Sequence, residues 1–330
     1  MDNSSCPHSR TNALSRNTPK RAWIFSLYLI LALASVRAKV FITPCYFNGT
    51  LATNHARSLN GVSTAPNQYR LLEYYIPQFI HAIFRLNIVD AYVLQRFVWT
   101  ALTFIVFHIY LRKWFDGKVS VIGTLFLAAT MQWTYFNHIK ECEPLNILIF
   151  LLGLYAIREG AWRWLLRILI VGAFNKSTVI FLPLIYFFCW YRVVDLKKLC
   201  LRTVLLFAPV IVICGAIRWI YREVPYETSL FKFTYNVHGF IEEAGQLPFR
   251  FYWAPHLYIF FLYGIFWIMA FMSFGEKPLF LRRAALIIPL FIITHLVIAR
   301  IDEARLFLPL APIIIPMGLF SLFGENSSAH

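Results

Sequence analysis

Apolar runs long enough to cross a membrane recur from residue 22 to residue 323, separated by short polar tracts. The first is "AWIFSLYLILALASV" (22–36), and others cover 91–111, 119–136, 145–157, 199–217, 251–272, 284–299 and 306–323. Runs of this kind predict transmembrane helices. The stretch 165–191, "LLRILIVGAFNKSTVIFLPLIYFFCWY", is interrupted by Asn175 and Lys176. Reading it as two half-length helices meeting at "NKST" keeps the basic tract "RVVDLKK" on the same side as the other basic tracts. Polar backbone at that depth is tolerated only against protein or a water-filled cavity. After "NQYR", residues Leu72, Tyr75, Ile76, Phe79, Ile80, Ile83 and Phe84 fall at helical spacing. This stripe is short for a span. It suits a helix lying in a membrane interface, or a packed cap over the bundle.

The expected fold is therefore all-α: a polytopic integral membrane protein with about eight full spans, a pair of half-helices and an interfacial helix. Alternating strand-like segments are missing, which argues against an outer-membrane barrel. The longest polar interval, 37–70, leaves no room for a sizeable soluble domain. One membrane domain over 22–323 is expected, with a first outer loop at 37–90 and short tails at 1–21 and 324–330.

Composition agrees: 59% of the 330 residues are hydrophobic and only 14% charged, against about a quarter charged in soluble domains. The net charge of +15 raises the question of nucleic acid. Its placement in short tracts between apolar runs instead has the form of a topology signal, or of tracts facing anionic lipid. With the amino terminus placed inside, 17 of the 31 basic residues fall in short inner loops. Ten of the 16 acids fall outside. That orientation satisfies the positive-inside rule and predicts a multi-pass protein of the cell (inner) membrane with a cytoplasmic amino terminus. The first run, with its basic flank and "ALASVRA", also has the form of a signal peptide; an uncleaved first helix is the reading adopted.

This map gathers five polar groups on the outer face: "NQYRLLE" (67–73), "NHIKECEP" (137–144), "NKST" (175–178), the 218–250 loop and "RIDEAR" (300–305). Each has two readings. "RIDEAR" is an ordinary turn with local ion pairs, or its Arg300 and Arg305 bind an anionic headgroup while Asp302 or Glu303 orients them. Lys176 snorkels to the interface, or contacts phosphate at the amino end of a half-helix. Glu141 and Glu143 close a hydrogen-bonded turn, or supply a carboxylate for acid–base chemistry or for a divalent metal. Cys45 and Cys142, the two cysteines placed in outer loops, are candidates for a disulfide.

The tail "DEARLFLPLAPIIIPM" is similar to the E-x-R-ϕ-ϕ-ϕ-P ending of bacterial GT-C membrane glycosyltransferases. "FNKSTVIFLPLIYFF" resembles their R-E-T-x-ϕ-ϕ-ϕ-P-ϕ segment, and "NQYRLLEYYIPQFI" their Q-Y-R-x-L stretch. The resemblance runs from about Gln68 to Pro316. It implies a polyprenyl-phosphate sugar as donor, transfer on the outer face to a glycan or lipid acceptor, and a role in cell-envelope polysaccharide synthesis. Membrane lipids would be the other partners, and nucleic acid would not be one.

Two departures stand out. Such enzymes carry an acid in the first outer loop, whereas 37–72 holds no Asp or Glu, and "NKST" lacks the acid of "RET". The base would then be Glu73, Glu141 or Glu143, with Arg70, Lys176, Arg300, Asp302, Glu303 and Arg305 around the substrate. Three other readings compete: a polysaccharide polymerase or ligase, a lipid transporter built on the broken helix, and a non-catalytic membrane protein.

Reporter fusions at Gly117, Gly160 and Lys277 are expected to report the inside, and fusions at Asn60, Glu143 and Gly245 the outside. An outside signal at Lys277 rejects the half-helix pair.

Overall fold

The computed structural model describes residues 18–135, 141–226, 229, 231–246 and 254–324, with side chains from residue 22. The described chain is helical throughout, with one isolated bridge joining Ala65 and Tyr226. Five helical stretches are long and apolar enough to cross a membrane: Ala22–Ile42, Ile88–Leu111, Leu196–Ile220, Leu279–Ile298 and Ala304–Phe323. This is the make-up of a multi-pass membrane protein.

The first outer "loop" is largely helix. Helix α1 (Thr18–Ile42) runs past the expected end of the first span, so Arg37 and Lys39 lie inside it. Next come α2 (Leu51–Leu59), α3 (Leu71–Phe84) and α4 (Ile88–Leu111). Asn87 caps α4 by accepting from the Asp90 N–H at 2.8 Å, which satisfies one of the free donors of the first turn. Asp116 does the same for α5 (Gly117–Trp133), accepting from Val119 N–H at 2.9 Å. Pro144 sits in the first turn of α6 (Glu143–Arg158), where its missing N–H costs nothing.

The break at Asn175 and Lys176 falls where the sequence places it. Helix α7 (Trp162–Asn175) ends, Lys176 is extended, and a 3₁₀ turn (Ser177–Ile180) leads into α8 (Phe181–Trp190). Helix α9 (Leu196–Ile220) packs on both halves. Helix α10 (Phe233–Gly245) follows.

The 251–272 segment departs from the expectation of one span. Its described part is two six-residue helices, α11 (Tyr258–Tyr263) and α12 (Phe266–Phe271), separated by Gly264 at φ 50° and ψ −128°. Only glycine adopts that conformation at low cost. Trp267 Nε1 donates to Ile259 O at 2.9 Å across the break.

Helices α13 (Leu279–Ala285) and α14 (Ile287–Ile298) together form the fourth long stretch. The last helix, α15 (Ala311–Phe323), is preceded by a 3₁₀ run over Ala304–Leu310. Residues 304–319 are all buried. With no charge after Arg305 and three prolines, this segment is the central post against which α5, α12 and α13 pack. In α3 the predicted apolar stripe points mostly outward: Tyr75, Phe79, Ile83 and Phe84 are exposed, while Tyr74 and Pro77 are buried. An exposed apolar face fits an interfacial helix better than a packed cap. Cys45 is exposed, Cys142 is buried, and both are free thiols, so the candidate disulfide between them is not formed. The tails and His138 and Lys140 of "NHIKECEP" lie outside the described residues.

Lys277, expected in an inner basic tract, is buried as a helix cap. Its Nζ donates to Met269 O at 2.6 Å, Ala270 O at 2.8 Å and Met317 O at 2.8 Å, with Ser321 Oγ at 3.0 Å. The Met269 and Ala270 carbonyls lie at the carboxyl end of α12, where a cation is favoured, and Met317 O lies midway along α15. Lys277→Met removes this shared donor, leaving Met269 O with Ser321 Oγ at 2.7 Å, and should lower stability by about 1–3 kcal/mol. Thermal unfolding of the detergent-solubilised protein reads the loss; an unchanged midpoint would show that the carbonyls find other donors.

Candidate functional site: a buried ionic network

Three chain breaks bring the charges together: the turn before α6, the α7–α8 break, and the turn between α14 and the last 3₁₀ run. Glu143 is the first residue of α6 and lies at the centre. Its Oε1 accepts from Lys176 Nζ at 2.8 Å and from Arg305 Nη1 at 2.7 Å. Arg305 also donates through Nη2 to Glu303. All three residues of the Glu143 triad are at most 6% exposed in their side chains. Such burial is tolerated because each charge is paired. Asn175 Nδ2 donates to Cys142 O at 3.4 Å and Thr178 Oγ1 to Asn146 Oδ1 at 3.3 Å, so both sides of the helix break are pinned to the start of α6.

Glu141, two residues earlier, faces the other way. Its Oε2 accepts from Arg96 Nη1 at 2.6 Å, and its N–H donates to Glu73 Oε1 at 3.0 Å. Arg70, at the amino end of α3, lies 3.7 Å from Glu73 Oε2. Lys39 is 1% exposed, with its Nζ 5.2 Å from the centre of the Tyr135 ring; Arg96 lies 5.0 Å from the same ring. Ser35 Oγ bonds the Tyr135 hydroxyl at 2.7 Å. Lys39 feels the charges of Arg96, Glu141 and Arg305, but no carboxylate pairs with it among the described residues. Five cations (Lys39, Arg70, Arg96, Lys176, Arg305) thus face four carboxylates (Glu73, Glu141, Glu143, Glu303), an excess of one positive charge. Glu141 Oε1, Glu143 Oε2, Arg96 Nε and Arg305 Nε are buried with no hydrogen-bond partner among the described residues.

The structure therefore brings together Arg70, Glu73, Glu141, Glu143, Lys176, Glu303 and Arg305. Arg300 and Asp302 stand on the opposite side of their turn. Arg300 Nη2 donates to Asp302 Oδ2 at 2.7 Å and to Tyr235 Oη at 3.0 Å. Burial, and then the neighbouring Asp302 carboxylate, push the Tyr235 phenol above its ordinary range. Arg305 is buried, 3% exposed in its side chain, with Nη1 on Glu143 and Nη2 on Glu303, so it presents no open face to a headgroup phosphate. Among the described residues no three His, Cys, Asp or Glu side chains are arranged to share a metal ion. The network acids already face cations, a poor arrangement for a divalent metal.

Lys39, Arg96 and Tyr135 are the members that sequence reasoning left out. A usable signal existed for Arg96, a lone arginine beyond the first turn of an otherwise apolar α4.

Glu73 is distinguished from the other network acids by lining a described cavity. Its side chain is 14% exposed, against 1% for Glu141, 5% for Glu143 and 18% for Glu303, which does not line that cavity. Glu73 shares the cavity, of about 330 Å³, with Tyr46, His55, Arg57, Asn67 and Tyr92. His55 is held by Tyr92 Oη at 3.1 Å and Gln78 Oε1 at 2.9 Å. Arg57, on the cavity wall, is exposed and makes no ion pair among the described residues. Set against known protein families, curated proteins and solved structures, the chain has no match.

Removing one member of a buried pair strands the other charge. Arg96→Met or Glu141→Leu alone should each destabilise by about 3–5 kcal/mol, whereas the double variant should recover much of the loss. Unfolding midpoints of the four proteins in one detergent give the coupling. Additive losses would mean that the pair is not an energetic unit.

Proposed function

We propose that the chain is a membrane glycosyltransferase of the GT-C type, moving a sugar from a polyprenyl-phosphate donor to an acceptor hydroxyl on the outer face of the cell membrane. The amino terminus lies in the cytoplasm, and about eight spans, with the α7–α8 pair as half-helices, complete the bundle. The observation that carries the reading is the shared cavity of Glu73 and Arg57, one accessible carboxylate and one guanidinium that makes no ion pair among the described residues, in the same space. The excess positive charge of the network behind Glu73 adds an environment suited to an anionic donor.

In this reading Glu73 is the base. Its carboxylate takes the proton from the acceptor hydroxyl as that oxygen attacks the anomeric carbon. The bond from that carbon to the phosphate oxygen breaks with inversion, and the electron pair leaves on polyprenyl phosphate. Arg57 holds the leaving phosphate through its guanidinium fork. The Glu141 N–H fixes Glu73 Oε1, which leaves Oε2 to meet the proton. Glu141, Glu143, Lys176, Glu303 and Arg305 position this carboxylate and do not touch substrate.

Glu73→Gln keeps the acceptor for the Glu141 N–H and removes the base. Transfer should fall by about 10²–10⁴-fold. Arg57→Ala should fall by roughly ten- to a hundred-fold. The readout is the outer-face glycan content of strains with matched protein levels. If a strain lacking the gene keeps wild-type glycans, the transferase reading is wrong. If it loses them while Glu73→Gln does not, the base is another residue.

A further inference from the structure

The end of the bundle away from the network carries cations that no acid answers. Helices α6 and α7 form a hairpin that leaves the network at Glu143, turns at 159–161 and returns to it at Asn175. Trp190 Nε1, at the end of α8, donates to Ile157 O at 3.1 Å, so α8 comes back to the same turn. The acid of that turn, Glu159, is taken by Lys113 at 3.0 Å and Arg158 at 2.8 Å. Beside it α7 packs on α9, and each carries a like-charged pair four residues apart in its first two turns: Arg163 and Arg167 on α7, Lys198 and Arg202 on α9. Residues at that spacing share a helix face, and like charges there repel. None of the four makes an ion pair or a side-chain hydrogen bond among the described residues. The Asp195 carboxylate caps α9 instead, accepting the Lys198 backbone N–H at 3.2 Å.

Trp162 draws the two pairs together. Arg202 reaches over from α9 to lie 5.5 Å from the centre of the Trp162 ring, and Arg163 lies 5.8 Å from it. A guanidinium held against an indole keeps its N–H fork free for an oxygen acceptor. Arg163, Arg167 and Lys198 are exposed and Arg202 is half-buried, so a ligand can reach all four. Solvated charges of one sign spread apart, whereas here two helices gather theirs on one ring. Toward the middle of the bundle the same faces turn apolar. Ile170 and Val171 follow Arg167 by three and four residues, Leu205 follows Arg202 by three, and all are exposed. Cations at the rim with an apolar strip behind them match an anionic head joined to hydrocarbon chains. A soluble anion leaves the strip unused, and a zwitterionic head sets its own cation against four others.

We infer that the seam between α7 and α9 binds an anionic phospholipid of the leaflet that this end of the bundle meets. Arg163 and Arg202 take its phosphate, Arg167 and Lys198 add charge, and its acyl chains lie along Ile170, Val171 and Leu205. Trp162 is a positioning residue for the two guanidiniums. The site is independent of the transferase reading and stands whether or not Glu73 is a base.

Native mass spectrometry of the full chain, stripped of lipid in detergent, tests it with phosphatidylglycerol and phosphatidylcholine of matched chains and with glycerol 3-phosphate, a head without chains. Phosphatidylglycerol should bind at least tenfold more tightly than phosphatidylcholine, and glycerol 3-phosphate should not displace it. Arg163→Gln combined with Arg202→Gln should weaken phosphatidylglycerol at least tenfold and leave phosphatidylcholine unchanged. Arg112→Gln combined with Lys118→Gln removes as much charge at exposed positions of the same end and should change either lipid less than threefold. Phosphatidylglycerol should also raise the unfolding midpoint of the wild type and not that of the Arg163/Arg202 variant. Midpoints without lipid check that the variants fold; if the double variant does not, Arg202→Gln alone, expected to cost at least threefold, takes its place. The inference falls if the two lipids bind equally, if glycerol 3-phosphate displaces phosphatidylglycerol, if the folded seam variant binds like wild type, or if the Arg112/Lys118 variant loses as much, which would make the whole end, not the seam, the attraction.

Discussion

The double clasp on Glu143 is the interaction on which the rest of this end of the molecule depends. One oxygen, Oε1, meets a lysine from the α7–α8 break and an arginine from the turn after α14. Those contacts cross 33 and 162 residues of sequence. Helix breaks in an apolar surrounding release backbone polar groups that must find partners. The same clasp, with Asn175 on Cys142 O, supplies them. A neutral residue at 143 would leave two buried cations facing each other, so the break at Lys176 and the turn at 300–305 hold their places only while that carboxylate is ionised.

The network sorts its acids by access. Glu141 and Glu143 are consumed in holding the bundle, and their burial removes them from contact with any ligand of ordinary size. Glu73 is attached to the same network by a backbone N–H and stays open on its cavity side. A carboxylate fixed by a main-chain donor is oriented without being neutralised by a fully engaged cation, an arrangement compatible with acid–base chemistry. The arginine nearest to it, Arg70, stands at 3.7 Å, beyond hydrogen-bond distance.

Much of this could be read from the residues themselves, and the failures have physical causes. The long apolar runs gave the helices, and "NKST" marked the break, because an asparagine and a lysine side by side do not belong inside a continuous apolar helix. "RIDEAR" reads as a charged turn, but local spacing does not show that Arg300 and Arg305 part company, one to Tyr235 and Asp302, the other to Glu143. That division is decided by contacts across the fold. Lys39 reads as loop because the apolar run before it ends at Val36, whereas the helix carries on to Ile42. The single span expected over 251–272 missed the force of Gly264, since a glycine in an apolar run is neutral on any hydropathy scale and decisive only through its φ.

The turn at 300–305 joins two chemically opposite surroundings. Arg300 and Asp302 face Tyr235, beside an acceptor-rich cavity; Glu303 and Arg305 face the cation-rich network. Helix α15 begins only a few residues later and is buried almost to its end, so the turn is anchored on the least movable element of the bundle. Asn236 adds three contacts from α10, donating to Leu296 O at 2.8 Å and Ala299 O at 2.7 Å and accepting from Ile301 N–H at 3.1 Å. A displacement of α10 therefore pulls on the backbone just before Arg300, and through the short, stiff 3₁₀ run it reaches Arg305 and Glu143. The four charges of "RIDEAR" are best understood as a rivet: two fasten α10 and its cavity, two fasten the helix break, and the buried post behind them keeps the two sets in register.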